Sequence, residues 1–392
     1  VRRDGRAAGN RRPASRCMGG VAARRAATPT RDRSIVPRRF PLLLALLVFG
    51  IVSTADARPA DARPVTPPRA APAPIVARPI DSARLAAAYA RAASLPRLRS
   101  LLVQHRGRIV GERYWRGATR ERRANIKSAS KSIISALVGI AIAEGKIRGT
   151  DQTIGELLPA ETRGLDAEKR AITVGDLLSM RSGLQPTSFG SYGAWVSSRD
   201  WVRDALRRPM VAERGGRMLY STGSTHLLSA ILTRATGTST YAYAQSRLAR
   251  PLGIALRPWQ RDPQGIYFGG NDMYLTPREM LKVGTLYLRG GLAPDGRRVL
   301  PRAWIDSSAV PRTISPFNGN RYGYGWWIRE AAGHRVLYAW GYGGQFIFVV
   351  PTLDLVVVTT SDPNAATRDG GHLDAIYALV EGEIMPAVIA AR

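Results

Sequence analysis

Reactive side chains are what this chain has least of. Among 392 residues there is one cysteine, Cys17, and it lies ahead of the apolar stretch over residues 40–52. A mature protein processed beyond that stretch is expected to hold no disulfide, no thiol nucleophile and no cysteine metal site. The four histidines, His105, His226, His334 and His372, are scattered without metal-ligand spacing. Each is expected to pack or to sit at the surface, and no metal or other cofactor is called for. Gly-x-Ser-x-Gly does not occur, which argues against the nucleophile elbow of an α/β-hydrolase. Repeats are absent, and no apolar run reaches the roughly 18 residues of a comfortable membrane span. Acidic residues are also scarce, 29 against 58 basic ones, for a formal charge of +29. Arginine far outnumbers lysine, which points to biased composition. No nucleic-acid-binding motif accompanies the charge, so a nucleic-acid partner is not expected.

The first forty residues are rich in arginine and show no apolar period. Arg38-Arg39, the run Phe40 to Val52 and Ala55-Asp56-Ala57 follow the charged, apolar and small-residue order of a secretory signal. Cleavage is expected after Ala57, giving a periplasmic or secreted protein with no stable membrane span. Residues 58–79, rich in Ala, Pro and Arg, read as a disordered tether. About 310 residues then remain for one large domain, 80–392, with an inserted subdomain.

Against this background the stretch Ser128 to Ala143 stands out. Small and apolar residues surround it on all sides, so it reads as a buried helix, closed by Gly145 at a C-terminal cap position. Ser128 and Lys131, three residues apart at its start, fall on one face within reach of each other. A serine hydroxyl is a weak nucleophile until a neighbour takes its proton, and a lysine can do so only when neutral. Burial, the positive end of the helix dipole and any nearby cation all push a lysine pKa down. By itself a Ser-x-x-Lys spacing also arises by accident; its place at the head of an apolar helix is what raises it. Ser130, Ser132 and Ser135 are expected to bond to their own helix backbone.

Element signals place a helix over about 82–93, then a hairpin of Leu98 to His105 and Arg108 to Trp115 about Gly107. Residues from about 150 to 312 read as helical and loop-rich, including a short capped helix within Ile172 to Met180. Strands return at Tyr322 to Ile328, Arg335 to Trp340, Gln345 to Val350 and Leu355 to Thr360, and a helix from about Leu373 closes the chain. The expected fold is α+β: an antiparallel sheet built from both ends of the domain, flanked by helices, with a mostly helical subdomain between.

Four stretches in order carry a resemblance to the serine β-lactamase and penicillin-binding-protein superfamily, in its class C-like branch of esterases, D-aminopeptidases and nylon-oligomer hydrolases. They are the Ser128 helix, Ile172 to Leu184, Tyr220-Ser221-Thr222 with Leu227 to Leu232, and Trp340 to Gln345; Gly269 to Arg278, including Asn271, resembles the nylon-hydrolase-like members. The resemblance implies Ser128 as acylated nucleophile, Lys131 as its base and Tyr220 as the phenol that passes a proton to the leaving group. Taken alone, Tyr220 reads more readily as a core or interface tyrosine than as a catalytic one. The physics is compatible, because a tyrosine beside a lysine cation shares or loses its proton more readily. Tyr342-Gly343-Gly344 stands where the family has Lys-Thr-Gly on an edge strand, and the amides of Ser128 and Gln345 are placed to form an oxyanion hole. A plain glycine bulge reads the same way. Thr222 replaces the usual Asn, and no cation meets a β-lactam carboxylate at Tyr342, so penicillinase activity is expected to be poor. A neutral site with Tyr192, Trp195 and Tyr342 as walls suits an uncharged ester or amide, although these aromatics read equally as loop packing. The rivals are a β-lactamase or D,D-peptidase, and a silent binding protein on the same fold.

Overall fold

In the computed structural model residues 80–364 and 371–390 are described, and all of them belong to the second of two units, 1–72 and 73–392. The extension, signal and tether read over residues 1–79 lie outside the described residues.

Asp81 caps helix α1 (Ser82–Ser94) through the Arg84 amide at 3.0 Å. Strands β1 (Leu98–His105) and β2 (Arg108–Tyr114) follow as the hairpin, which turns through left-handed Arg106 and Gly107. From there to residue 312 the chain is helical but for β3 (Ala124–Asn125) and β4 (Tyr274–Leu275), which pair with each other. The three longest helices of this stretch are α2 (Ser130–Ala143), α3 (Thr222–Thr236) and α4 (Pro277–Leu288). Six strands close the sheet: β5 (Thr313–Ile314), β6 (Arg321–Tyr322), β7 (Trp327–Ala331), β8 (His334–Gly341), β9 (Gln345–Val350) and β10 (Leu355–Ser361). A last helix begins at Gly371 and continues to Ile389.

The sheet is antiparallel, ordered β2-β1-β10-β9-β8-β7-β6-β5, so strands from both ends of the domain meet at the β1–β10 pair. Its two faces bury separate apolar clusters. One joins α2, α3 and α4 through Ile134, Leu137, Ile231 and Val283; the other joins α1 and the C-terminal helix through Leu85, Ala88, Ile376 and Val388. Burial on both faces explains why β9 and β10 read as continuous apolar runs rather than alternating ones.

Four expectations are corrected. The nucleophile helix does not start at Ser128: Lys127–Ala129 form a 3₁₀ turn, and α2 starts at Ser130. The strand expected over 322–328 is broken by a bend at Gly323-Tyr324-Gly325. Ser132 donates to the Gly325 carbonyl at 2.6 Å and Ser135 to that of Tyr324 at 2.7 Å, so these hydroxyls bond across to the bend and only Ser130 bonds locally, to the Lys127 carbonyl. Strand β8 is not an edge strand, since β7 pairs with it from His334 to Tyr338. That pairing ends at Tyr338, however, and on this side Ala339, Trp340 and Gly341 run on past it, so the edge is local and lies at the end nearest Ser128.

Candidate active site

Backbone geometry sets Ser128 first. Lys127 lies in the left-handed region at φ 51°, and its amide donates to the Asn125 side-chain oxygen at 2.9 Å. The turn that follows lies over β8 so closely that a Cβ on Gly341 would stand 2.0 Å from the Ile126 carbonyl oxygen. Only glycine admits that approach. The candidate nucleophile is thereby held over the free end of β8, half-buried at the head of α2.

Lys131 is 2% exposed. Its Nζ donates to Ser128 Oγ at 3.1 Å, to Thr222 Oγ1 at 3.2 Å and to the Gly270 carbonyl at 2.7 Å. All three partners are neutral, so nothing in contact repays the cost of desolvating an ammonium ion, and burial brings the lysine pKa down to about 7. Burial alone is the cause; the neighbouring Lys127 sits 3.8 Å from Asp272. A substantial neutral fraction at neutral pH makes Lys131 competent to accept the Ser128 proton.

Tyr220 is brought to the same point. Lys131 Nζ stands 5.2 Å from its ring centroid, and Ser128 is close enough to influence its ionisation. Burial pushes this phenol up to about 12, with Ser128 opposing only part of the rise. The expectation that a lysine cation would ease its ionisation is overturned, because burial dominates. Tyr220 is a neutral phenol at neutral pH, a proton donor in waiting.

Two loops support these groups. Ser221 precedes α3, whose first amides would otherwise lack partners. The Thr222 amide donates to Ser188 Oγ at 2.9 Å and the Gly223 amide to Thr187 Oγ1 at 2.7 Å, while Ser188 Oγ lies 3.0 Å from Thr222 Oγ1. Thr222, in the position of the usual Asn, therefore still reaches the lysine. The second loop carries Gly270 at φ 99°, where a Cβ would lie 2.8 Å from Lys131 Cγ. It is steadied from behind: buried His226 lies 3.0 Å from Asp262 through Nε2 and accepts the Gly269 amide through Nδ1 at 3.3 Å. His226 is thus a packing histidine, as expected, with a support role that its spacing did not signal.

The other predicted residues divide. Asn271 donates to the Tyr192 hydroxyl at 2.6 Å, joining two candidate substrate-binding residues at the Gly270 loop. Burial raises the Tyr192 phenol to about 12. Trp195 is not a wall: it is fully buried, donates to the Trp201 carbonyl at 2.9 Å and packs on Trp201, Phe268 and His226. Tyr342 is about half exposed, and Gly343 and Gly344 turn beside it at φ 82° and 102°. Gln345 opens β9, but its side chain is spent on Ser361, donating to that carbonyl at 2.8 Å and accepting its amide at 3.2 Å, which leaves only the backbone amide for a substrate. No cluster of metal-ligating side chains occurs among the described residues.

A family model for beta-lactamase matches residues 99–380. The chain belongs to the beta-lactamase family. Within it, the chain is 27% identical over 298 residues to a 6-aminohexanoate-dimer hydrolase from Paenarthrobacter ureafaciens, covering 69% of this chain and 74% of that one. Solved structures share the fold at lower identity. A Bacillus anthracis protein assigned as a 6-aminohexanoate-dimer hydrolase superposes with a TM-score of 0.62 at 20% identity, over 74% of this chain and 79% of that one. The octameric penicillin-binding protein homologue from Pyrococcus abyssi gives 0.60 at 17%, over 77% of each. This beta-lactamase family member is a serine hydrolase of the amidase or esterase type.

Proposed function

We propose that the protein cleaves carboxylic esters or amides through a covalent acyl-enzyme on Ser128. The observation that carries this reading is the buried Lys131 amine, 3.1 Å from Ser128 Oγ with only neutral partners. Ser128 attacks the carbonyl carbon as Lys131 takes its proton. The oxyanion forms against the amides of Ser128 and Gln345. Tyr220 donates to the departing oxygen or nitrogen and recovers a proton from Lys131. Water then attacks the acyl-enzyme by the reverse relay and releases the acid.

The substrate class follows from what surrounds these groups. Tyr342 brings no cation of its own to the turn beside Gly343, where the related enzymes carry a lysine. The likeness to a 6-aminohexanoate-dimer hydrolase adds linear amides to short esters as candidates. Penicillins are poor candidates, and nitrocefin should turn over slowly or not at all. The order of Arg38-Arg39, Phe40 to Val52 and Ala55-Asp56-Ala57 supports export, with the reaction taking place beyond the inner membrane.

A panel of short esters, D-amino-acid amides and aminohexanoate dimers, run with wild type and Ser128→Ala, tests the proposal. Turnover that vanishes in the variant, together with a fluorophosphonate adduct mapped to Ser128, supports it. Labelling that survives Ser128→Ala contradicts it.

A further inference from the structure

Two phenylalanines stand out in the open beside the candidate proton donor. Phe189 is 65% exposed and Phe317 60%, yet their rings lie 5.1 Å apart, centroid to centroid, and Phe189 is 6.2 Å from the ring of Tyr220. They come from distant loops, one between α2 and α3, the other at the tip of the β5–β6 hairpin. Each is fixed by its own backbone. Phe189 follows Ser188, whose hydroxyl is held by the Thr222 amide, and it sits in the left-handed region at φ 56°. Phe317 is set in a turn where Ser315 Oγ accepts its amide at 3.2 Å and the Ser315 amide donates to the Asn320 carbonyl at 2.9 Å.

Nothing in the fold gains from this arrangement. A bulky residue at positive φ costs on the order of 1 kcal/mol, and leaving its ring in water forgoes the burial that favours phenylalanine inside. Two such exposed rings meeting each other, one of them beside the candidate proton donor, are better explained by a ligand than by packing. The direction of the ligand follows from Tyr220. Its other aromatic neighbours, Tyr322 and Trp327, are buried, so Phe189 is the exposed ring beside it. A leaving group must bring its oxygen or nitrogen to the Tyr220 hydroxyl, and whatever that atom carries then meets Phe189 and, beyond it, Phe317.

We propose that Phe189 and Phe317 form an apolar subsite for the leaving group, selecting esters and amides whose alcohol or amine is aliphatic or aromatic over those with a small one. This rests on the catalytic reading of Ser128, Lys131 and Tyr220 given above. The acyl chain lies on the other side of the scissile bond and is not selected by these rings.

Two ester series separate the claims. In one, a single acid is esterified with methyl, butyl and benzyl alcohol; in the other, the alcohol is methyl and the acyl chain lengthens. Both are run on wild type, Phe189→Leu and Phe189→Ala/Phe317→Ala, with Ser128→Ala as the control for enzymatic turnover and melting temperature as the control for folding. The expected result is a benzyl-over-methyl preference in kcat/KM of about tenfold in wild type, reduced several-fold in the double variant and less in Phe189→Leu, with the acyl-series slope unchanged. Ser128-dependent hydrolysis whose benzyl-over-methyl ratio is the same in wild type and the double variant would overturn the subsite and leave the catalytic reading standing. So would a loss confined to the acyl series. Absence of any Ser128-dependent hydrolysis overturns both.

Discussion

In the proposed mechanism Lys131 can act as the base because it has so little company. An ammonium ion at this depth would normally be met by a carboxylate; here it meets two hydroxyls and a carbonyl. Replacing it with alanine should lower turnover by about three orders of magnitude or more, read as kcat/KM on an activated ester. Gly270→Ala tests the same point by another route, since a methyl at φ 99° strains the loop and presses on the lysine stem 2.8 Å away; kcat should fall and the melting temperature should drop with it. Tyr220→Phe removes a proton donor without removing the ring. A p-nitrophenolate leaves without protonation and an alkoxide does not, so the variant should lose much more activity on alkyl esters than on p-nitrophenyl esters of the same acid. Equal losses on both would remove Tyr220 from the role proposed for it.

At the scale of elements, the site depends on how α2 is tied to the sheet. Ser132 and Ser135 bond to the carbonyls of the bend between β6 and β7, which fixes the helix that carries Lys131. Ser135→Ala would leave the buried Tyr324 carbonyl without this donor and should destabilise the protein by about 1–3 kcal/mol, measured by denaturant unfolding. These bonds also mark where the sequence could be read and where it could not. Alternation, glycine turns and caps announced α1, the β1–β2 hairpin and β8 to β10 nearly to the residue, because those signals are local. The Ser-x-x-Lys spacing and, through the family resemblance, Tyr220-Ser221-Thr222 pointed to side chains that the fold brings close together. What joins distant segments left no local trace. The bend that splits the expected 322–328 strand is imposed by serines nearly two hundred residues earlier, and the choice between wall and packing at Trp195 is settled largely by His226 and Phe268, far from it in the sequence. Ser188 and Phe189 carry no such signal, and Gly270 is legible only as part of the Gly269 to Arg278 segment: loop residues acquire meaning only from what they are folded against.

For the molecule as a whole, a depressed lysine pKa is also a stability cost. The folded state holds Lys131 near 7 and the unfolded chain near 10.5. Between these values the unfolded state binds more protons, so stability rises with pH across that window and is flat below it. Relative to Lys131→Met, which lacks the titration, wild type should gain stability from pH 7 to 10.5 and show no relative change from pH 5 to 6.5. The protein thus keeps a destabilising amine where two loops and a helix converge, a feature that stability alone would not retain. The most direct measurement of its purpose is the pH dependence of Ser128 acylation, followed as the rate of fluorophosphonate labelling mapped to that residue. The account predicts a rate that climbs with pH through a midpoint near 7 and falls to a low, featureless baseline in Lys131→Ala. A midpoint near 10, or a wild-type profile that persists without Lys131, would contradict it.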